Sequence, residues 1–214
     1  MVHSREVDGD ELTFGNEGAL FGNAMTWWDH DTGSVWSQPL GAPILGPRAD
    51  TDMALELLPS QLTTWASWVD TYPTTLALDA AGGPTGFDLA DMALVVDLGD
   101  ASAAFPVPAV REKGVINDRV GREPVALVVD PADPQRWQVY SRRVGDGDVE
   151  LALDNGHLRD PASGTRWDLR TGRGLAGPLA DDALRPLPAF TSFPDDYRRF
   201  FPDGRIWLDA AGAE

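Results

Sequence analysis

The chain has 214 residues, enough for one large domain or two small ones, and at 43% hydrophobic it carries the apolar material for a core. Seventeen basic against 34 acidic side chains leave a net charge of -17, split as 26 Asp to 8 Glu and 16 Arg to a single Lys, Lys113; such a surface repels phosphate backbones and argues against nucleic acid and anionic membranes as partners. With no cysteine there is no disulfide, thiolate nucleophile or Cys-ligated metal, no run approaches the ~18 apolar residues of a membrane span, and Met-Val-His-Ser-Arg-Glu is too polar to start a signal peptide.

In chain order, Val7-Asp8-Gly9-Asp10-Glu11 sets Asp-Gly turn chemistry between two candidate strands, an ordinary hairpin signal. Short strands are expected at 12–14, 25–28 and 35–38. Thr63 or Thr64 can cap a helix that puts Trp65, Trp68 and Tyr72 on one face and stops before Pro73. Aromatics at that spacing are expected in the core. Residues 92–140 read as strands, with Ala93-Leu94-Val95-Val96 and Val125-Ala126-Leu127-Val128-Val129 as buried apolar runs. Val144-Gly145-Asp146-Gly147-Asp148 repeats the hairpin signal, and strands are expected at 149–153 and 166–169. Ser192 then caps a second helix, with Pro194 in its first turn and Tyr197, Phe200 and Phe201 as its apolar face before Pro202.

Much of this order occurs twice. Thr32-Gly33-Ser34-Val35-Trp36 reappears as Ser163-Gly164-Thr165-Arg166-Trp167, and at the same offset of 131 Gly41, Gly46-Pro47 and Ala49-Asp50 reappear as Gly172, Gly177-Pro178 and Ala180-Asp181. At an offset of 129, Leu58-Pro59 and Pro73 become Leu187-Pro188 and Pro202, and at 130 Leu78-Asp79-Ala80-Ala81-Gly82 becomes Leu208-Asp209-Ala210-Ala211-Gly212. Upstream, Ser4-Arg5-Glu6-Val7 faces Ser141-Arg142-Arg143-Val144. Constant offsets over such stretches mark an internal duplication. Residues 92–140 have no partner in the chain, so a matching front of the first copy would lie ahead of Met1. The expected division is a first copy over 1–82 lacking its front, a linker over 83–91 and a complete second copy over 92–214, packed as one globular unit. The expected fold class is mainly β: a duplicated, pseudo-symmetric unit of short antiparallel strands with one short helix per copy.

Leu12-Thr13-Phe14-Gly15, Asp31-Thr32-Gly33-Ser34-Val35-Trp36-Ser37-Gln38, Ile44-Leu45-Gly46-Pro47 and Leu57-Leu58-Pro59 resemble the domain-of-unknown-function family numbered 3179. Phe105-Pro106, Val115-Ile116-Asn117-Asp118 and Pro124-Val125 look like that family's aromatic-Pro, Val-Asn-Asp and Pro-Val elements. The resemblance implies no activity. It does imply a cysteine-bearing segment ahead of the position of Ser4 and a His-Glu before the Val-Asn-Asp element. Here the first would precede Met1, and Glu112-Lys113 and Asp130-Pro131-Ala132-Asp133 stand at the corresponding places of the second copy. Any thiol or metal chemistry the family suggests is therefore not expected in these residues, and a redox or metal-dependent protein whose reactive segment lies upstream is the alternative.

The motifs that could carry chemistry are weak. Gly172-Arg173-Gly174-Leu175-Ala176-Gly177 fits the Gly-x-Gly-x-x-Gly string, but Pro178, Pro186 and Pro188 leave no helix to present its N–H groups, and the first copy keeps only the outer glycines. Asp29-His30-Asp31-Thr32-Gly33 opens like a calcium loop, but Ser34 stands at position six and Leu40 at position twelve, where Gly and an acidic residue are needed. A turn in which Asp29 or Asp31 accepts backbone N–H bonds is expected instead. His3, His30 and His157 show no metal-ligand spacing, and Ser34 lacks a nucleophile elbow. No catalytic residue, metal or cofactor is expected.

Residues shared by both copies, such as Trp36/Trp167 and Gly46/Gly177, are expected to serve the fold, and one-sided features are freer to serve function. The interval from Leu12 to Ser34 is six residues longer than that from Val149 to Thr165. It holds Asn16, Glu17, Asn23, Trp27, Trp28, His30 and Asp31; with Gln38 these are the candidate ligand-binding residues. Adjacent tryptophans on a strand point to opposite faces, so one of them can form an aromatic platform beside a carboxylate and an imidazole. The expected function is non-catalytic binding of a small polar or aromatic ligand there. Self-association through an open sheet edge is a third, structural possibility. The sequence leaves the compartment open.

Overall fold

The computed structural model describes residues 1–77 and 89–208. The expected matches at 78–82 and 209–212, and positions 83–88 of the expected linker, lie outside them. The chain begins with a hairpin of β1 (Glu6–Val7) and β2 (Asp10–Glu11). Its turn takes Asp8 at φ 55° and Gly9 at φ 89°, the paired positive angles that suit the right-handed twist of the flanking strands. Next come β3 (Phe14–Phe21), β4 (Ala24–Asp29), β5 (Val35–Ser37) and β6 (Ala42–Leu45), an antiparallel sheet in sequence order. Helix α1 (Trp65–Thr71) is capped by Thr64, whose hydroxyl accepts the Ser67 N–H at 3.2 Å.

The second half opens with β7 (Ala93–Asp97), β8 (Ser102–Pro106) and α2 (Val107–Lys113), and continues as a meander of β9 (Val115–Val120), β10 (Glu123–Asp130) and β11 (Asp133–Ser141). Then the first-half pattern returns: the hairpin β12 (Arg143–Val144) and β13 (Gly147–Asp148), and a four-stranded sheet of β14 (Ala152–Asp154), β15 (His157–Arg159), β16 (Arg166–Asp168) and β17 (Gly174–Ala176). Strand β18 (Ala189–Ser192), α3 (Pro194–Phe200) and β19 (Arg205–Ile206) close the described chain. Strands β18 and β19 flank β7 and β8 in one sheet, β19 running parallel to β8.

Backbone bonding shows the duplication directly. Leu12 N–H donates to Arg5 O as Val149 does to Arg142 O, Leu55 to Gly41 O as Leu184 to Gly172 O, and Tyr72 to Trp68 O as Phe201 to Tyr197 O, all at 2.8 Å. The small core of the first copy, Val7, Leu12, Trp36 and Leu55, maps onto Val144, Val149, Trp167 and Leu184 in the larger core of the second. Trp36 and Trp167 are both fully buried. A Cβ on Gly46 would meet Ser34 Cα at 2.9 Å and one on Gly177 would meet Thr165 Cα at 2.5 Å, so both glycines exist for close backbone approach. The largest core lies between the β7–β8 and β9–β10–β11 sheets, where Leu94, Val96 and Phe105 meet Val125, Leu127 and Val139.

Three expectations need correction. One helix per copy omits α2, which lies in the stretch read as strands: Val107 and Val110 give its buried face, Pro108 suits its first turn, and Gly114 at φ 70° ends it. Helix α3 is not capped by Ser192; its N-cap is Phe193, without a side-chain bond, and Pro194 with Asp195 and Asp196 starts the helix. The α1 aromatics are not core: the helix buries no residue and Trp65 is 54% exposed. Helix α3 packs Tyr197 into a cluster with Val95, Ala104 and Phe190. Among the described residues α1 has no such sheet of its own and lies over the outer face of β11 instead, where Arg136 reaches it.

Candidate functional site

On the long hairpin, Gly15 pairs with Trp28 and Asn16 with Trp27. Trp27 turns inward, edge-on to His3 at 5.7 Å and against Phe14 at 6.1 Å. Trp28 turns outward, lying over Gly15, where a Cβ would come within 2.5 Å of its Nε1. Its ring stacks on the exposed His30 imidazole at 4.4 Å and 8°. Asn16 Oδ1 accepts the Gly18 N–H at 2.9 Å inside a bulge that also holds the exposed Glu17. Asn23 (φ 74°) forms the tip turn with Gly22, and Asp31 lies exposed in the turn beyond β4. Gln38 meets the inner side through its backbone, its carbonyl accepting His3 Nε2–H at 3.0 Å. The structure thus joins Trp28 to His30, sets Trp27 and Gln38 beside His3, and puts Asn23 and Asp31 beyond opposite ends of β4.

The extra length of this hairpin spans the two copies. Phe21 packs on Phe200 of α3 at 5.9 Å, and Gly22 lies against Phe200 and Arg199. The expected Asp turn is present: Asp29 Oδ1 accepts the Thr32 N–H at 2.7 Å and Oδ2 accepts Trp36 Nε1–H at 2.9 Å. The Gly-x-Gly-x-x-Gly string leads into strand β17, with no helix behind it.

A second place gathers more polar groups. Strand β11 alternates Trp137 and Val139, which enter the main core, with Arg136, Gln138 and Tyr140 on its other face. That polar row is buried, at 0%, 8% and 1% exposure. In front of its Gln138 and Tyr140 lies a cleft of about 380 Å³ between the copies, walled by Trp68 and Tyr72 of α1, by Pro59 and Gln61, and by Arg170 and Pro186. The Trp68 and Tyr72 rings sit 4.4 Å apart. Gln61 Oε1 accepts from both Arg136 Nε and Gln138 Nε2, which fixes the amide, because both partners can only donate through those atoms. Arg170 bridges Asp130 through Nε at 2.8 Å and Asp70 through Nη1 at 2.9 Å. The Tyr140 hydroxyl donates to Leu169 O at 3.1 Å, and burial, aided by the Asp168 charge, pushes its pKa well above the usual phenol range.

Arg136 is unusual within this group. Its guanidinium donates to Gln61 Oε1, Ser67 O, Ser67 Oγ and Thr71 Oγ1, all neutral acceptors, and its buried Nη2 has no partner among the described residues. Burial, then the like charge of Arg170, lower its pKa. The pseudo-equivalent place in the first copy, around His3 as the counterpart of Tyr140, is a cavity of about 640 Å³ lined by Leu40, Leu57, Asp97, Arg185 and Pro188. Among the described residues no tryptophan or tyrosine lines it.

The apolar runs of residues 92–140 do not reveal the polar row of β11. The signal for it in the sequence is the alternation Arg136-Trp137-Gln138-Val139-Tyr140, a polar stripe at strand period beside an apolar one.

Fold and site together define a mainly β protein made of two copies of one unit, with clefts where the copies meet. The chain belongs to the family described as Protein of unknown function (DUF3179), whose model matches residues 1–88 and again 81–204. No curated protein and no solved structure matches it.

Proposed function

We propose that the chain is a non-catalytic binding protein that takes a small, partly aromatic polar ligand in the cleft between its two copies. The observation that carries this reading is the convergence, in one concave place, of an aromatic wall from the first copy with the buried polar row of the second. Small-ligand sites combine apolar walls with a few fixed polar groups in just this way. Titration of the full chain with benzoate, benzamide and benzyl alcohol, read by calorimetry, tests it. Trp68→Ala, checked for folding by circular dichroism, is expected to abolish saturable binding. Absence of saturable binding for all three probes, or its survival in Trp68→Ala, would contradict the reading.

The coplanar Trp28–His30 stack favours a second reading, in which the ligand lies on the outer face of the long hairpin, next to Asn16 and Glu17. A Trp28→Ala, Glu17→Gln double variant separates the two: binding lost there and kept in Trp68→Ala moves the site to the hairpin.

A further inference from the structure

We infer that the cleft selects a small organic carboxylate, with its carboxylate toward Gln61 and Arg170 and its apolar body against Trp68 and Tyr72; this ligand class rests on the cleft reading above. The first ground is an imbalance of donors. Because Gln61 Oε1 is held by Arg136 and Gln138, the Gln61 Nε2 hydrogens face away from both and meet no acceptor among the described residues. Arg170 spends Nε and Nη1 on Asp130, Asp70 and Thr71 and leaves Nη2 without an acceptor there. Against these donors stand, among the described lining residues, the Tyr72 and Ser60 hydroxyls, which can themselves donate, and the pure acceptor Gln138 Oε1, which suits a hydroxyl or amide N–H adjoining the carboxylate.

The second ground is independent of the cleft lining. Arg136 is a fully buried cation with no carboxylate within ion-pair distance among the described residues. The nearby acids make their contacts elsewhere, Asp130 with Arg170 and Asp133 with the neutral donors of Thr63, Thr64 and Gln135, and reach Arg136 only through space. A buried charge without a counter-charge in contact is costly. Arg136 stands directly behind Gln61, sharing its oxygen with Gln138, so an anion held in front of Gln61 adds negative charge close to Arg136, across one side chain. The overall charge of -17 does not oppose this at contact range, because free ions screen surface charges beyond about 8 Å while a buried guanidinium is screened much less.

Benzoate and its neutral isostere benzamide test the assignment on the full chain. Benzoate is expected to bind at least about tenfold more tightly, the preference that one charge-assisted contact confers. Arg136→Met could unfold the chain, so the decisive variant is Gln61→Glu. Its carboxylate accepts the same two bonds and neutralises Arg136 from within, so the melting temperature is expected to rise while benzoate binding is lost and benzamide binding persists. Equal affinities for the two probes, or a Gln61→Glu variant that melts lower and still binds benzoate, would overturn the carboxylate assignment while leaving the cleft in place. Binding of both probes that ignores Trp68→Ala would instead remove the cleft reading itself.

Discussion

Asp29 is fully buried yet holds its charge, because three hydrogen bonds replace the lost water. Burial alone would raise its pKa; the bonds from Trp36 and Thr32, with the Arg48 charge beyond, bring it below the ordinary carboxylate value. Asp133, Asp160 and Asp168 are lowered in the same way, burial again being opposed by local N–H and hydroxyl donors. An acid whose folded pKa is depressed contributes stability above its unfolded pKa, near 3.9 for Asp, and loses it as pH falls through the folded value. Asp97 runs the other way: burial raises it, so its contribution is present in acid and lost as pH rises through its folded pKa. Four lowered acids against one raised predict that the denaturant midpoint falls below about pH 4. Asp29→Asn turns an amide donor toward donors and is expected to cost about 1–3 kcal/mol at neutral pH and to shrink the acid-dependent part of the loss. Urea titrations at several pH values measure both, and an unchanged acid slope in the variant would contradict the account.

At the scale of elements, the long β3–β4 hairpin separates backbone from packing. Gly18 and Gly22 both have positive φ, 76° and 57°, but a Cβ at Gly18 meets nothing within 4 Å whereas one at Gly22 would meet Phe200 Cζ at 2.8 Å. Gly18→Ala is expected to cost about 1 kcal/mol, the backbone penalty alone. Gly22→Ala is expected to cost more, about 2–3 kcal/mol, by prising the tip from α3. Equal losses in thermal unfolding would mean that the tip does not hold the copies together. The hairpin also shows what a sequence can carry. Two adjacent tryptophans with opposite faces follow from strand geometry, while local turn and cap chemistry narrows the turn acid to Asp29 or Asp31 and the cap to Thr63 or Thr64, of which the structure uses Asp29 and Thr64. That Phe21 reaches Phe200 does not, since the contact joins residues 179 apart in the chain through the pairing of whole sheets. Helix α1 shows the same boundary: its aromatic spacing was legible, but whether that face meets a sheet or a cleft depends on what the rest of the chain sets opposite it.

For the whole molecule, duplication is the organising fact. The two copies share hairpin, sheet, cored tryptophan and terminal helix, and this was readable from constant offsets in the sequence. The site was less legible, because it is made by the differences between copies. Where α3 presents Tyr197 and Phe201 to its own sheet, α1 presents Trp68 and Tyr72 to β11 of the other copy. Where the first copy has Pro39, the second has Arg170. Such substitutions turn one structural joint into a polar, aromatic-walled cleft, and none carries a motif. The indole N–H resonances of the eight tryptophans, assigned by single substitution, test the cleft most directly. Trp68 Nε1–H is bonded to Thr75 Oγ1 at 3.0 Å on the cleft wall, and Trp36 Nε1–H is sealed against Asp29. Saturating benzoate is expected to shift the Trp68 resonance and leave Trp36 and Trp28 in place; a shift at Trp28 with Trp68 unmoved, or no saturable shift at all, would contradict the account.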